Sequence, residues 1–398
     1  MTGNAELFIF SVDKFRKMGY NVSRSLKISL FLKGMIVMRN IWKKALAALL
    51  CAALCLSLSG CYDANKTWAA KRGQETLPIG SYIYYLNTSF SEAMDKVPSD
   101  TEVLKATIDG KDGETWIKDR AKDYLGAYFY VNRKFDEMAL ELTEEEKLSL
   151  DSTTESYWAY YKSYFENMGI AKESFHLAFS EYNTKLRLVM LSIYDTGGEL
   201  ELSNEDLENY FSENYYYYSY FSAALSSYDD EGNATNLTDE EKAALKDKLQ
   251  GYVNSINSGD MTLEEAAEAY AEEELDGAEN STYVEPFSAV KTDLIEALRD
   301  GIEGTKDNEA SLVELTNSYL VVYRHPVLLG FSAQMAEETG KDDLILAMKN
   351  EEFSEYVIEQ GKQIEDLEIN TAALNSIKAS SLVTDSNKYG TVSTEEEE

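Results

Sequence analysis

Tyr215-Tyr216-Tyr217-Tyr218-Ser219-Tyr220-Phe221 and Ser318-Tyr319-Leu320-Val321-Val322-Tyr323-Arg324 are the two runs whose reading decides how this chain folds. Both are short and dense in aromatic or β-branched residues, which suit a pleated, half-buried surface, so both are predicted as strands. Helical patterns lie between them. Thr238-Asp239-Glu240-Glu241 and Thr262-Leu263-Glu264-Glu265 are capping boxes, in which a threonine hydroxyl and a glutamate carboxylate satisfy otherwise unpaired amides; they open helices to Ile256 and to about Glu274. An irregular stretch over Asp276–Val290, a short helix around Leu294–Leu298 and a strand over Ala310–Leu315 follow, with Asn317-Ser318 as a hairpin turn. Residues 215–326 thus read as a small α+β module.

Working outward, the flanks are helical. Trp68 to Ile79 reads as a short extended pair turning at Gly73, followed by a helix carrying Tyr82, Tyr85, Leu86 and Phe90. Pro98 to Gly113 is a loop with turn chemistry at Asp109-Gly110. Helices are predicted over Thr115–Ala139, from the capping box at Thr143 to Gly169, over Lys172–Tyr194, and from Ser203 to about Asn214. Beyond Pro326 a loop leads to a last long helix, Asp342–Ile364, and a shorter segment, Thr371–Ile377. The fold class is α+β, mainly α: a helical body from 68–214 and 342–377, the module 215–326 inserted into it, and 378–398 as an acidic, disordered tail.

The N-terminal part is a different kind of sequence. Met38-Arg39-Asn40-Ile41-Trp42-Lys43-Lys44 is a basic start, Ala45 to Leu58 is apolar, and Leu58-Ser59-Gly60-Cys61 puts small residues ahead of a cysteine. These are the three parts of a signal peptide, and the run is too short for an ordinary membrane span. The pattern resembles the bacterial lipoprotein signal, which implies a lipid on Cys61 and a location on the outer face of the cytoplasmic membrane; the alternative is an uncleaved anchor helix. Residues 1–37 then precede a complete signal, so Met38 is the expected start, and 61–67 is a tether. Cys51 and Cys55 fall inside the signal, leaving Cys61 alone and excluding an internal disulfide.

The chain carries 37 basic and 71 acidic residues, and residues 1–60 hold nine of the basic and two of the acidic ones. That leaves 28 against 69, a net of −41, from Cys61 onward. Such a surface repels nucleic-acid phosphates and anionic headgroups, so nucleic acid is not expected as a partner and attachment must come from the lipid.

Few residues carry chemistry. His176 and His325 are the only histidines, and neither heads a nucleophile–base constellation; no Gly-rich phosphate loop is present. No catalytic residue, metal site or cofactor is expected, and the acidic loop Asp229–Asn233 lacks the spacing of a calcium loop. The aromatics say more. Tyr157, Tyr161, Tyr164 and Phe165 form a helical stripe that reads as packing core. In Tyr215–Phe221 both faces of the strand are aromatic, so one face is either a second core layer or a surface that holds peptides loosely. Tyr215, Tyr216, Tyr217, Tyr218, Tyr220, Phe221, Tyr283, Phe287 and Tyr319 are the candidate client-binding residues.

A lipobox, a helical arm, an α+β insert and a returning helix resemble, in that order, the extracytoplasmic foldases of the SurA and PrsA type. Arg72-Gly73 stands where that family's opening turn has Asn-Gly, and Trp68–Asn214 with Asp342–Ile377 is similar to its SurA N-terminal chaperone domain. Ile256 to Ala267 resembles the helix junction of a parvulin-type prolyl isomerase, and Asn317-Ser318-Tyr319-Leu320-Val321-Val322 its closing strand. The family's active-site histidine is replaced by Leu320, Tyr215–Leu225 has no histidine, and Asp276–Val290 lacks the family's Gly-Gly-Asp-Leu-Gly loop. The resemblance implies a lipid-anchored extracytoplasmic chaperone binding unfolded secreted polypeptides, its isomerase-like module inactive. The alternatives are an active peptidyl-prolyl isomerase, or a scaffold or solute-binding lipoprotein, the last of which would need alternating βα units that are absent.

Overall fold

A computed structural model describes residues 66–228 and 234–393. Residues 1–65, with the expected signal peptide and Cys61, the loop 229–233 and the final acidic run lie outside the described residues. The chain divides into two compact units, one from residues up to Ile193 together with Lys349 onward, the other from Tyr194 to Met348. The architecture is mainly α with small antiparallel sheets.

The first unit begins with β1 (Trp68–Arg72) and β2 (Glu75–Pro78), turning at Gly73 in the left-handed region. Helix α1 (Ile79–Met94) follows and buries Tyr82, Tyr85, Leu86 and Phe90. The loop at Asp109-Gly110 is a two-residue ladder of β3 (Thr107–Ile108) and β4 (Lys111–Asp112). Helix α2 (Gly113–Glu137) is capped by Asp112, and α3 (Glu144–Met168) by the Thr143–Glu146 capping box, with left-handed Gly169 closing it. The helix expected over Lys172–Tyr194 is present as α4 (Lys172–Phe175) and α5 (Tyr182–Tyr194), joined by a π-helical turn, His176–Glu181. The stripe residue Phe165 is buried and stacks on Trp158 and Phe175, as core packing requires.

Helix α6 (Asn204–Asn214) was expected in the helical body and instead belongs to the second unit. Its Phe211 is fully buried and lies parallel to Tyr215, ring centroids 4.6 Å apart, which ties the helix to the first strand of the sheet. That strand, β5 (Tyr215–Ala224), is followed by the hairpin β6 (Ser226–Tyr228) and β7 (Ala234–Asn236). Helices α7 (Asp239–Ser258) and α8 (Leu263–Glu274) both start at capping boxes, at Thr238 and Thr262. Part of the stretch expected to be irregular is a strand, β8 (Val284–Val290). Then come α9 (Glu296–Glu303), β9 (Glu309–Glu314) and β10 (Ser318–His325). The loop expected after Pro326 is a helix, α10 (Val327–Ala336), whose Phe331 ring sits edge-on to Phe211.

The four long strands form one antiparallel sheet in the order β8-β5-β10-β9. Its Pro286 lies in the edge strand, where the missing N–H breaks no interior ladder. At the other edge the Asn257 amide pairs with both the N–H and the C=O of Ala310 (2.6 and 2.9 Å), standing in for a further strand.

Helix α11 (Gly340–Gly361) runs across the division, its residues from Lys349 onward completing the first unit with the C-terminal segment, so that 342–348, expected in the helical body, belong to the second unit. Strand β11 (Glu368–Ile369) pairs with β1, putting β1 in the middle of a sheet whose outer strands are some three hundred residues apart in the chain. Arg120 binds Glu92 of α1 and Glu355 of α11 together. The tail was expected to be disordered from 378. Residues 378–393 are instead ordered: after α12 (Thr371–Ser376), Ala379 and Leu382 are buried, Asn387 donates to the Leu382 carbonyl, and Val392 bridges Pro98. These groups anchor the segment, and the glutamate run that suggested disorder begins only at Glu395.

Candidate functional site

Alternation along β5 and β10 sends the predicted aromatic residues to opposite faces of the second unit's sheet. On one face Phe221, Tyr319 and Val321 are buried with Leu249 and Val253 of α7 and Ala266, Ala267 and Tyr270 of α8, and Tyr283 packs against them. On the other, Tyr216, Tyr218, Leu320 and Val322 are buried with Ile302 of α9 and Val313 of β9. Tyr216, Tyr218, Phe221 and Tyr319 are therefore core residues, not a free surface, because each face is covered by helices. Tyr215 is turned to Phe211, and Tyr217 packs against Gly330 of α10, where a Cβ would fall 2.7 Å from its ring. The nine residues do not form one surface.

Two of the nine, Tyr220 and Phe287, form a part-open shelf on the α9 face. Tyr220 and Phe287 are half-buried there and meet Tyr218, with ring centroids 4.6 Å (Tyr218–Phe287), 6.1 Å (Tyr218–Tyr220) and 6.2 Å (Tyr220–Phe287) apart. A bulge in β8, where the register shifts between Tyr218 and Tyr220, brings Phe287 opposite Tyr218 and Val284 opposite Tyr220. Leu320, 6% exposed, lies within the buried layer under these rings, and Leu294, Leu298 and Leu315 pack at its margin. Ile295, next to Leu294 in the chain, is 59% exposed. Burial pushes the Tyr218 hydroxyl up to about 12, so it stays a neutral donor at any physiological pH. Leu294, Leu298 and Leu315 were not singled out in the sequence; the i,i+4 pair Leu294/Leu298 was the available signal.

The two histidines sit elsewhere. His325 ends β10 on the opposite face, sharing a 2.9 Å hydrogen bond with buried Ser219 and lying against Tyr217 and Tyr323. Burial holds its imidazole below the usual value. His176 opens the π-helical turn and shares a hydrogen bond with the Thr154 hydroxyl, beside a shallow pocket of about 520 Å³ lined also by Asp151, Glu155, Lys172 and Glu173. Nothing orients either imidazole toward a nucleophile in open space. Among the described residues no group of histidine, cysteine, aspartate and glutamate could hold a metal ion, and no helix is long and apolar enough to cross a membrane.

No protein-family model matches the chain, and no curated protein matches it. Among solved structures the chain is similar to the foldase protein PrsA from Streptococcus pneumoniae, at 12% identity and a TM-score of 0.36 over 68% of this chain and 96% of that one. It is similar to PrsA from Lactococcus lactis at the same identity and TM-score, over 78% of this chain and 97% of that one. PrsA from Bacillus subtilis gives 14% identity and a TM-score of 0.29 over 67% and 94% of the two chains.

Proposed function

We propose that this chain is an extracytoplasmic chaperone, held to the membrane by a lipid on Cys61, that binds unfolded secreted polypeptides on the Tyr218–Tyr220–Phe287 shelf without isomerising their prolines. The observation that carries the reading is the shelf: three rings in mutual contact, two of them, Tyr220 and Phe287, half-buried, over a buried floor that includes Leu320, Val322 and Val313. Covering about 100 Å² of such surface with a client side chain contributes about 2.5 kcal/mol, so one contact holds a chain loosely and several hold it usefully. Tyrosine and phenylalanine provide this area at little conformational cost.

Turnover asks for more. Rotation about an X–Pro bond faces an uncatalysed barrier of about 20 kcal/mol. Lowering it requires polar groups preorganised where charge shifts in the twisted amide. Leu320 in the floor provides none, so the shelf is a holding surface. The intact chain is expected to suppress aggregation of a reduced, unfolded secreted protein at equimolar ratio, and Tyr220→Ala to weaken that suppression several-fold while the variant stays folded, its urea midpoint lowered only as loss of a half-buried ring requires. Suppression that is absent, or unchanged in a folded Tyr220→Ala variant, overturns the assignment.

A further inference from the structure

The face of the sheet turned away from the shelf carries a second group of part-open rings. The His325 imidazole meets two tyrosines there, 5.3 Å from Tyr217 and 4.8 Å from Tyr323 by ring centroid. Directly across from Tyr323 stands a small residue, Ser219, whose hydroxyl shares a hydrogen bond with that imidazole. On the other side of Ser219 the edge strand β8 bulges at Glu285–Pro286, and Tyr283 stands just ahead of the bulge. Tyr283 and Tyr323 pack at the margin of the core formed with α7 and α8, and neither is buried. The Tyr283 hydroxyl is pushed above its usual value by partial burial, by the Glu264 and Glu285 carboxylates and by Tyr217, so these side chains surround one phenol. Both carboxylates are exposed, and among the described residues neither is held in an ion pair or hydrogen bond.

The charge around this patch is one-sided. Residues 194–348 carry 8 basic against 35 acidic residues, a net of −27. Three of the eight, Lys291, Arg299 and Arg324, gather at Tyr216 on the shelf's face, away from the patch. Lys246 is held by Glu314, and Lys248 by Glu273 and Glu274.

We infer that this patch takes a lysine or arginine side chain of a client polypeptide, its cationic head against the Tyr217, Tyr283 and Tyr323 rings and beside Glu264 and Glu285. A tyrosine ring presents a negative face to a cation, and the two carboxylates add to the attraction. Burial holds the His325 imidazole neutral at pH 7, so it sets no charge against the ligand. Position favours a polypeptide over a free amine, because shelf and patch lie on the two faces of one edge strand at the same bulge. An extended chain advances about 3.3 Å per residue, so about four residues carry it around a sheet roughly 10 Å thick. The crossing rests on the shelf being the client surface; the patch stands on its own geometry.

The test is fluorescence anisotropy of four unstructured peptides with the intact chain. Each carries a Phe-Pro pair, a Gly-Ser spacer of about four residues, and then lysine, Nε-trimethyl-lysine, norleucine or glutamate. The lysine peptide is expected to bind about tenfold more tightly than the norleucine peptide, as a ring contact and exposed charge pairs allow. The glutamate peptide should bind more weakly than either. Trimethyl-lysine should keep the preference, since the rings require the charge and not an N–H donor. The double variant Glu264→Gln, Glu285→Gln should reduce the preference several-fold, and adding Tyr283→Ala should remove it. Tyr220→Ala on the shelf should weaken all four peptides and leave their ratios unchanged. Equal binding of the lysine and norleucine peptides overturns the patch and leaves the shelf in place. A preference lost with trimethyl-lysine overturns the rings as the recognising groups, and one that survives the triple variant overturns its placement here. A norleucine peptide that fails to bind while the lysine peptide binds overturns the shelf and keeps the patch. No binding of any of the four overturns both.

Discussion

Leu320 fills a buried place that a polar side chain would occupy at a cost. It lies in the register opposite Ser222 of β5 and packs among Tyr218, Val313 and Val322, where burying an imidazole would carry a desolvation cost that leucine does not. The replacement was legible in the sequence, but its burial was not. The division of the tyrosine run between two faces was half legible: alternation is dictated by the strand, yet which tyrosines stay open depends on the bulge at Glu285–Pro286, a tertiary feature with no local signature. His325 supports a prediction at this scale. Its imidazole is held below its unfolded value by burial, so the folded state binds fewer protons than the unfolded one as pH falls below about 6.5. Its contribution is fully present above that value and is lost on acidification. Urea denaturation between pH 8 and 5 should show a shallower loss of stability in His325→Gln than in the parent chain; parallel curves would show that the imidazole does not titrate differently on folding.

At the scale of elements, capping boxes were the most reliable local signal. Thr143, Ser203, Thr238 and Thr262 all open helices in the structure, because each satisfies its own unpaired amides without help from distant residues. The elements that escaped notice lack such autonomy. Strand β8 contains Pro286 and an acidic neighbour, and exists because β5 offers it an edge to pair with. Helix α10 has no side-chain cap and a glycine in its middle; Phe331 against Phe211 and Gly330 against Tyr217 hold it in place. The crossing of α2 and α11 is likewise invisible in either helix alone. A Cβ on Gly126 would come within 2.7 Å of the Gly361 carbonyl oxygen, backbone against backbone, with no flexible side chain to give way. Gly126→Ala should therefore destabilise the first unit by about 1–3 kcal/mol, despite the better helix propensity of alanine. An unchanged or raised urea midpoint for that variant would show that the crossing can open freely.

For the whole molecule, the sequence placed the long helices and the central strands, and the two-part construction of the first unit appears in the pairing of β11 with β1 and in Arg120 joining Glu92 to Glu355. The boundary between units was shifted because Phe211 looks, in sequence, like any other apolar helix position, and only its stacking on Tyr215 assigns α6 to the second unit. The tail is ordered where composition predicts disorder, because Leu382 and Asn387 carry anchoring contacts of their own ahead of the final glutamates. The central claim is that the shelf binds proline-containing chains and leaves their isomerisation rate alone. Exchange NMR on a short Phe-Pro peptide with the intact chain addresses both halves at once. The account predicts line broadening and shift changes at the Phe-Pro residues, with the cis–trans exchange rate equal to that of the free peptide. A cis–trans rate that rises with protein concentration, and falls when Tyr220 is replaced, would contradict it and make the shelf an active site.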